Sequence, residues 1–188
     1  MIKDKRDNGK SERNETLKSI LNNYKGDRKR ALKEHPDLET LYDLSDLREN
    51  LLEWYPFREG TRLLQVGSGY GALTGVYSEK AAQVDVLDPD AGDLEVNELR
   101  QKQYEGRENI RYIQDDYILH YPAGNYDAVM MIYCDMGTHS DQERDTLLHH
   151  IFDSLTEGGK LIFDVFTEEL IKDKREERNW ECSPSGGF

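Results

Sequence analysis

Arg62-Leu63-Leu64-Gln65-Val66-Gly67-Ser68-Gly69-Tyr70-Gly71-Ala72-Leu73 decides how this 188-residue chain is to be read. Leu63, Leu64 and Val66 form a short apolar run of strand type. Three glycines at alternate positions follow at once, and a helical pattern then begins. Glycine is needed where the backbone turns sharply or must approach a ligand with no Cβ in the way. A strand that ends in such a turn and feeds a helix makes a nucleotide-cofactor loop.

Outward from this loop, strand and helix patterns alternate. Strands are expected at Val84–Asp88, Ile110–Ile113, Tyr126–Tyr133 and Leu161–Phe166. Helices are expected at Ala72–Glu79, Asp93–Tyr104, Asp141–Leu155 and Glu168–Arg178, with Gly158-Gly159 ending the third. The unbroken apolar run at Ala128–Ile132 suits a sheet covered on both faces. Strands alternating with helices at this spacing make a parallel α/β sheet. Before the loop the pattern is helical. Residues 1–10 are expected to fray, and from Ser11 the stripe Leu17, Ile20, Leu21 and Tyr24 marks a helix that Gly26 ends. A short helical piece holds Ala31 and Leu32. Ser45 is expected to cap a further helix carrying Leu47, Leu51, Leu52, Trp54 and Tyr55 up to Pro56. The division expected is a helical segment or lid over 1–56, a core over 57–170 and a tail over 171–188.

Composition narrows the function. The chain carries a net charge of −13, but residues 1–35 hold 11 Lys/Arg against 6 Asp/Glu. The acidic remainder repels phosphate backbones, which argues against a nucleic-acid substrate. No apolar run is long enough for a membrane span, and Met1–Arg6 lacks a signal-peptide core. Two cysteines, Cys134 and Cys182, make no disulfide framework, so a cytoplasmic location is expected. No His/Cys spacing suits a metal, and none is expected.

An open parallel sheet binds its ligand beyond the carboxyl ends of its strands. The residues found there are Gly67, Ser68, Gly69 and Gly71, then Asp88 and Pro89, then Asp115, Asp116 and Tyr117. Tyr133, Asp135 and His139 follow the fourth strand. Asp88 stands 21 residues after Gly67. From there a carboxylate can accept hydrogen bonds from both ribose hydroxyls of an adenosine. The structural alternative is that Asp88 caps the next helix, and Asp90 is the fallback for the ribose role.

With these residues in place, the sequence resembles class I S-adenosylmethionine-dependent methyltransferases. Leu63–Gly71 looks like their first motif and Asp88 like their ribose-binding acid. Gln114-Asp115-Asp116-Tyr117 resembles the segment that holds the adenine. Tyr126-Asp127-Ala128-Val129 resembles the fourth-strand motif, and Leu155-Thr156-Glu157-Gly158-Gly159-Lys160-Leu161 the approach to the fifth strand. Five motifs in order, over about residues 45–170, imply a Rossmann-like sheet of order 3-2-1-4-5 with helices on both faces and a helical N-terminal extension. The stretch from Tyr133 to Phe166 is most like small-molecule methyltransferases of bacteria. The resemblance implies S-adenosyl-L-methionine as cofactor, S-adenosyl-L-homocysteine as product and a small-molecule acceptor.

Two departures stand out. The family usually has an acid where this chain has Gln65, which can still accept a hydrogen bond but supplies no charge. The family also continues to a sixth and a seventh strand, whereas this chain stops near Ser185-Gly186-Gly187-Phe188. An uncovered fifth strand invites pairing with another chain, so a homo-oligomer through that edge is one expectation. Loss of those strands leaves a second reading, a truncated or vestigial cofactor-binding domain without catalysis. A third is an NAD(P)-dependent oxidoreductase, since Gly67-x-Gly69-x-x-Ala72 also fits the dinucleotide fingerprint. Gly71 and the Asp115-Asp116 edge weigh against it. If the acceptor must lose a proton, Asp135 and His139 are the candidate bases, with Tyr133 positioning; a loop-capping aspartate and a plain loop histidine are the structural alternatives.

Overall fold

A computed structural model of the protein describes residues 2–133, 135–167 and 172. The expected helix Glu168–Arg178, the tail beyond it, Cys134 and Cys182 lie outside the described residues, Lys172 apart.

Five strands form one parallel sheet in the order β3-β2-β1-β4-β5. They are β1 (Arg62–Val66), β2 (Gln83–Asp88), β3 (Ile110–Gln114), β4 (Tyr126–Met131) and β5 (Leu155–Phe163). The order reverses between β1 and β4, which pair with Gln65 beside Met130. That reversal opens a crevice at the strand ends.

The alternation of β1 divides the core. Leu63, with Val84, Val86, Ala128 and Met130, packs against Leu73, Tyr77 and Ala81 around α4 (Thr74–Lys80) and Leu94 of α5 (Ala91–Gln101). Leu64 and Val66, with Leu87, Val129 and Met131, pack against Leu147 and Ile151 of α6 (Asp141–Ser154). Successive side chains of a strand point to opposite faces, so Gln65 shares the α4 face with Leu63.

The N-terminal segment comprises α1 (Ile2–Tyr24), α2 (Arg28–Glu34) and α3 (Leu38–Leu44). Leu17, Ile20 and Leu21 pack with Ala31, Leu44 and Val96, which docks the segment on α5. Arg100 of α5 fastens it further. Its buried guanidinium donates to the carbonyls of Asp43 (2.8 Å), Leu44 (3.3 Å) and Ser45 (3.4 Å), and to that of Tyr70 (3.4 Å) in the glycine loop. A cation at the end of α3 meets carbonyls that have no partner within the helix.

Three expectations are corrected. The first helix begins at Ile2, not Ser11, and Lys10 is held by ion pairs to Asp90 (2.7 Å) and Asp93 (3.1 Å). Ser45 does not cap a helix running to Pro56. It closes α3 through its N–H to the Leu41 carbonyl, and only a 3-10 turn, Leu47–Leu51, follows. Leu47, Leu51 and Trp54 are exposed there, so no inward stripe exists to support a longer helix. Finally, β5 starts at Leu155 and ends at Phe163, not Leu161 to Phe166. Tyr126 pairs with Leu155 but Ala128 with Lys160, so Gly158-Gly159 belongs to a bulge inside the strand and ends no helix.

Candidate functional site

A cavity of about 330 Å³ lies over the ends of β2, β1 and β4. Of the residues predicted from sequence, Gln65, Gly67, Ser68, Gly69, Asp88, Pro89, Tyr117 and Tyr133 line it. Tyr42, Asp43 and Arg48 enter from the N-terminal segment, and Tyr70, Tyr77 and Asp93 complete the polar wall.

Asp88 is 5% exposed and carries more than a ribose-binding position requires. Its Oδ2 accepts from the N–H groups of Ser68 (2.7 Å) and Gly69 (3.0 Å) and from the Ser68 hydroxyl (3.2 Å). Its Oδ1 accepts from the Asp90 N–H at 3.0 Å, which leaves that oxygen one open lone pair. Asp90, not Asp88, caps α5, accepting from the Asp93 N–H at 3.0 Å. The capping alternative for Asp88 is therefore taken by its neighbour, and Asp88 shapes the glycine loop.

Two glycines in that loop have different work. At Gly69, φ is +47° and an added Cβ meets nothing within 4 Å, so the backbone faces open cavity. At Gly71, φ is +74° and a Cβ would lie 2.1 Å from Asn97 Oδ1. Gly71 does not line the cavity; it lets the loop seat on α5.

Beneath the loop runs a buried polar chain. Thr74 donates to Gln65 Oε1 (2.8 Å), Asn97 to Thr74 (3.0 Å), and Gln101 to Asn97 Oδ1 (3.2 Å) and the Gly71 carbonyl (2.9 Å).

At the β4 end, Tyr133 has φ +109°, a conformation that side-chain-bearing residues rarely adopt. Its N–H donates to Asp164 at 2.7 Å. Strain of this kind gathers at ligand sites. The Arg48 guanidinium sits over the rings of Tyr42 (4.4 Å) and Tyr133 (4.6 Å). Burial pulls the Arg48 pKa down. Arg48 Nε and Tyr133 Oη are both buried without a hydrogen-bond partner.

Asp115, Asp116 and His139 do not line this cavity. Asp115 accepts from the Asp116 N–H (2.9 Å) and contacts His120 Nδ1 (3.1 Å); Asp116 accepts from the N–H groups of Ile118 and Leu119. In each, Oδ1 is engaged by its own loop. His139 lies behind Tyr117, edge to face at 5.6 Å, with its Nε2 buried and unpartnered. Asp135 begins a 3-10 turn, Asp135–Thr138, that follows β4. Among the described residues no His/Cys/Asp/Glu group is arranged to hold a metal ion.

Sequence reasoning missed Arg48, Asp43, Asp93 and Arg100. None belongs to a motif, and each reaches its place through tertiary packing.

Asp93 has a testable electrostatic signature. Burial, opposed in part by Lys10, raises its carboxyl to about 6. A carboxyl whose folded pKa exceeds its unfolded value binds more protons when folded, so stability falls as pH rises through about 4 to 6. Asp93→Asn is expected to melt higher than the parent at pH 7.5 and level with it near pH 4. Thermal melts at both pH values check this; a lower melting point at pH 7.5 would show that the Lys10 pair dominates.

An open parallel sheet with a glycine loop at its first strand and an acid closing its second defines a Rossmann-like ligand-binding domain. Residues 63–159 match the model of the methyltransferase domain family. That is more than half of the chain, and the chain belongs to this family. No curated protein sequence matches it. Solved structures share the fold. The glycopeptide N-methyltransferase MtfA is 19% identical with a TM-score of 0.57, over 70% of this chain and 56% of its own. DhpI, solved with S-adenosylhomocysteine, is 20% identical with a TM-score of 0.54, over 78% and 68%. Phosphoethanolamine N-methyltransferase 1 of Haemonchus contortus, solved with phosphoethanolamine and S-adenosylhomocysteine, is 22% identical with a TM-score of 0.54, over 77% and 30%. The chain thus spans about half or less of MtfA and of the Haemonchus enzyme. No helix among the described residues is long and apolar enough to cross a membrane.

Proposed function

We propose that the protein is an S-adenosylmethionine-dependent methyltransferase acting on a small-molecule acceptor. The observation that carries this reading is Asp88. It closes β2, holds the glycine loop, and keeps one carboxylate lone pair open toward a cavity at the sheet's reversal point.

The residues present fit the cofactor. Asp88 accepts from the ribose hydroxyls. Pro89 and Tyr117 flank the adenine side of the cavity, and the bare backbone at Gly69 allows close approach. Asp115 and Asp116 serve by shaping the loop that presents Tyr117. The cofactor supplies an electrophilic sulfonium methyl, and the protein's contribution is to position the acceptor in line and exclude water. Tyr42, Asp43 and Arg48 bring the segment over 1–56 to the cavity wall, which supports its role as a lid over the core of 57–170. Asp135 and His139, which follow β4, remain the candidate bases. The family match favours this reading over a dinucleotide oxidoreductase.

Equilibrium dialysis with labelled S-adenosylmethionine tests the proposal. Binding displaced by S-adenosylhomocysteine and untouched by NAD is expected. Displacement by NAD, or no binding, would overturn it.

A further inference from the structure

Two non-glycine residues among those described have positive φ. Lys25, at +45°, sits in the ordinary left-handed region just past the end of α1. Tyr133, at +109°, lies well outside that region, where a side chain crowds its own backbone. A residue stays in such a conformation only where its surroundings over-determine it.

Tyr133 is held from two sides. From the N-terminal segment, Tyr42 meets its ring edge to face at 6.4 Å and Arg48 stacks on it at 4.6 Å. From the sheet, Asp164 Oδ1 accepts its N–H at 2.7 Å. The strand register brings Asp164 there. β4 and β5 pair as far as Met131 and Phe163, so Asp164 is the first residue past the last pair. As β4 leaves the sheet its next N–H groups lose their ladder partners, and a carboxylate is a strong substitute acceptor. The two anchors lie on opposite sides of the Tyr133 N–Cα bond, the N–H on Asp164 and the ring under Arg48. Fixing both fixes φ.

The ring held in this way belongs to the cavity. Tyr133 lines it, and its Oη is buried without a partner, as is Nε of Arg48 in the same wall. Asp164 itself does not line the cavity. It stands behind the wall, close enough to Tyr77 that its charge adds to burial in holding the Tyr77 hydroxyl above its usual range. Neighbouring strands lie about 4.8 Å apart, so Tyr133 after β4 is roughly two spacings, about 10 Å, from the tip of β2, where Asp88 sits.

We propose that Asp164 is a positioning residue: by anchoring the Tyr133 N–H past the end of β4, it presents the Tyr133 ring and hydroxyl, with Arg48 stacked on them, to the end of the ligand remote from its adenosine. The inference rests on the S-adenosylmethionine reading, in which Asp88 holds the ribose.

Calorimetric titration with S-adenosylhomocysteine, and with adenosine, which lacks the remote end, separates positioning from general damage. Asp164→Ala is expected to weaken S-adenosylhomocysteine about 10-fold, the scale of one hydrogen bond to the ligand, and to leave adenosine unchanged. Asp164→Asn keeps an oxygen that can accept the N–H and should restore most of that loss. Tyr133→Gly removes the ring and tolerates positive φ, so it should weaken S-adenosylhomocysteine at least as much as Asp164→Ala. Adding Asp164→Ala to Tyr133→Gly should cost nothing further, because a residue that acts through another is not additive with it. In the unaltered, ligand-free protein the Tyr133 amide should exchange slowly, although it lies past the last strand pair. Equal weakening of both ligands by Asp164→Ala, undiminished S-adenosylhomocysteine binding by it, additive losses in the double variant, or a fast-exchanging Tyr133 amide would overturn the positioning role. Should Asp164→Ala fail to fold, a full loss of S-adenosylhomocysteine affinity in Asp164→Asn would overturn it, and parent-like affinity together with the slow amide would support it. If the parent binds neither ligand, the cofactor reading falls and the positioning role with it, an outcome distinct from the others.

Discussion

Asp88→Ala is expected to reduce S-adenosylhomocysteine affinity about 100-fold, roughly 3 kcal/mol, and to lower the melting temperature as well. The affinity loss combines two effects. A charge-assisted acceptor for the ribose is removed, and the N–H groups of Ser68 and Gly69 lose the carboxylate that aligns them. A side chain whose only role was to touch ligand would leave the melting temperature unchanged in the ligand-free protein. Asp88→Asn separates the effects, because it keeps the shape and one acceptor oxygen but not the charge. Its affinity should fall between those of the parent and Asp88→Ala. Calorimetry paired with thermal melts measures both. Undiminished affinity in a folded Asp88→Ala protein would remove Asp88 from the site.

Arg100→Met should destabilise the protein by about 3 kcal/mol and loosen the N-terminal segment first. Methionine keeps most of the buried volume, so the loss reports the guanidinium. Burial brings the Arg100 pKa down to about 10, which leaves it charged at neutral pH. Its removal strands the carbonyls of Asp43, Leu44, Ser45 and Tyr70 together, and an unpaired buried polar group is costly. Amide hydrogen exchange should show α3 and the 3-10 turn after it losing protection ahead of the sheet. Because Asp43 and Arg48 enter the cavity from that same stretch, ligand affinity should fall as well. A melting point and exchange pattern like the parent's would contradict this role.

What could be read from the sequence was what depends on local pattern. The apolar run of Leu63, Leu64 and Val66 marked β1, and the run Ala128–Ile132 marked a strand covered on both faces. The helix expected at Asp141–Leu155 formed as α6, where Ser140 and Glu143 make both halves of a capping box. The glycine spacing and Asp88 led directly to the cavity. Long-range contact decided the rest. Leu47, Leu51 and Trp54 have helical spacing but meet no partner surface, so the helix expected to run to Pro56 shrank to one 3-10 turn. Gly158 and Gly159 looked like a helix terminator, yet pairing with β4 drew them into the strand. The buried polar chain from Gln65 to Arg107 was illegible for the same reason. It runs through residues on two helices that no local pattern connects to β1.

The most direct test of the account is a crystal structure of the protein with S-adenosylhomocysteine bound. The account predicts the ribose hydroxyls on Asp88 and the adenine between Pro89 and Tyr117. Adenosine bound elsewhere, or a ribose out of reach of Asp88, would contradict it.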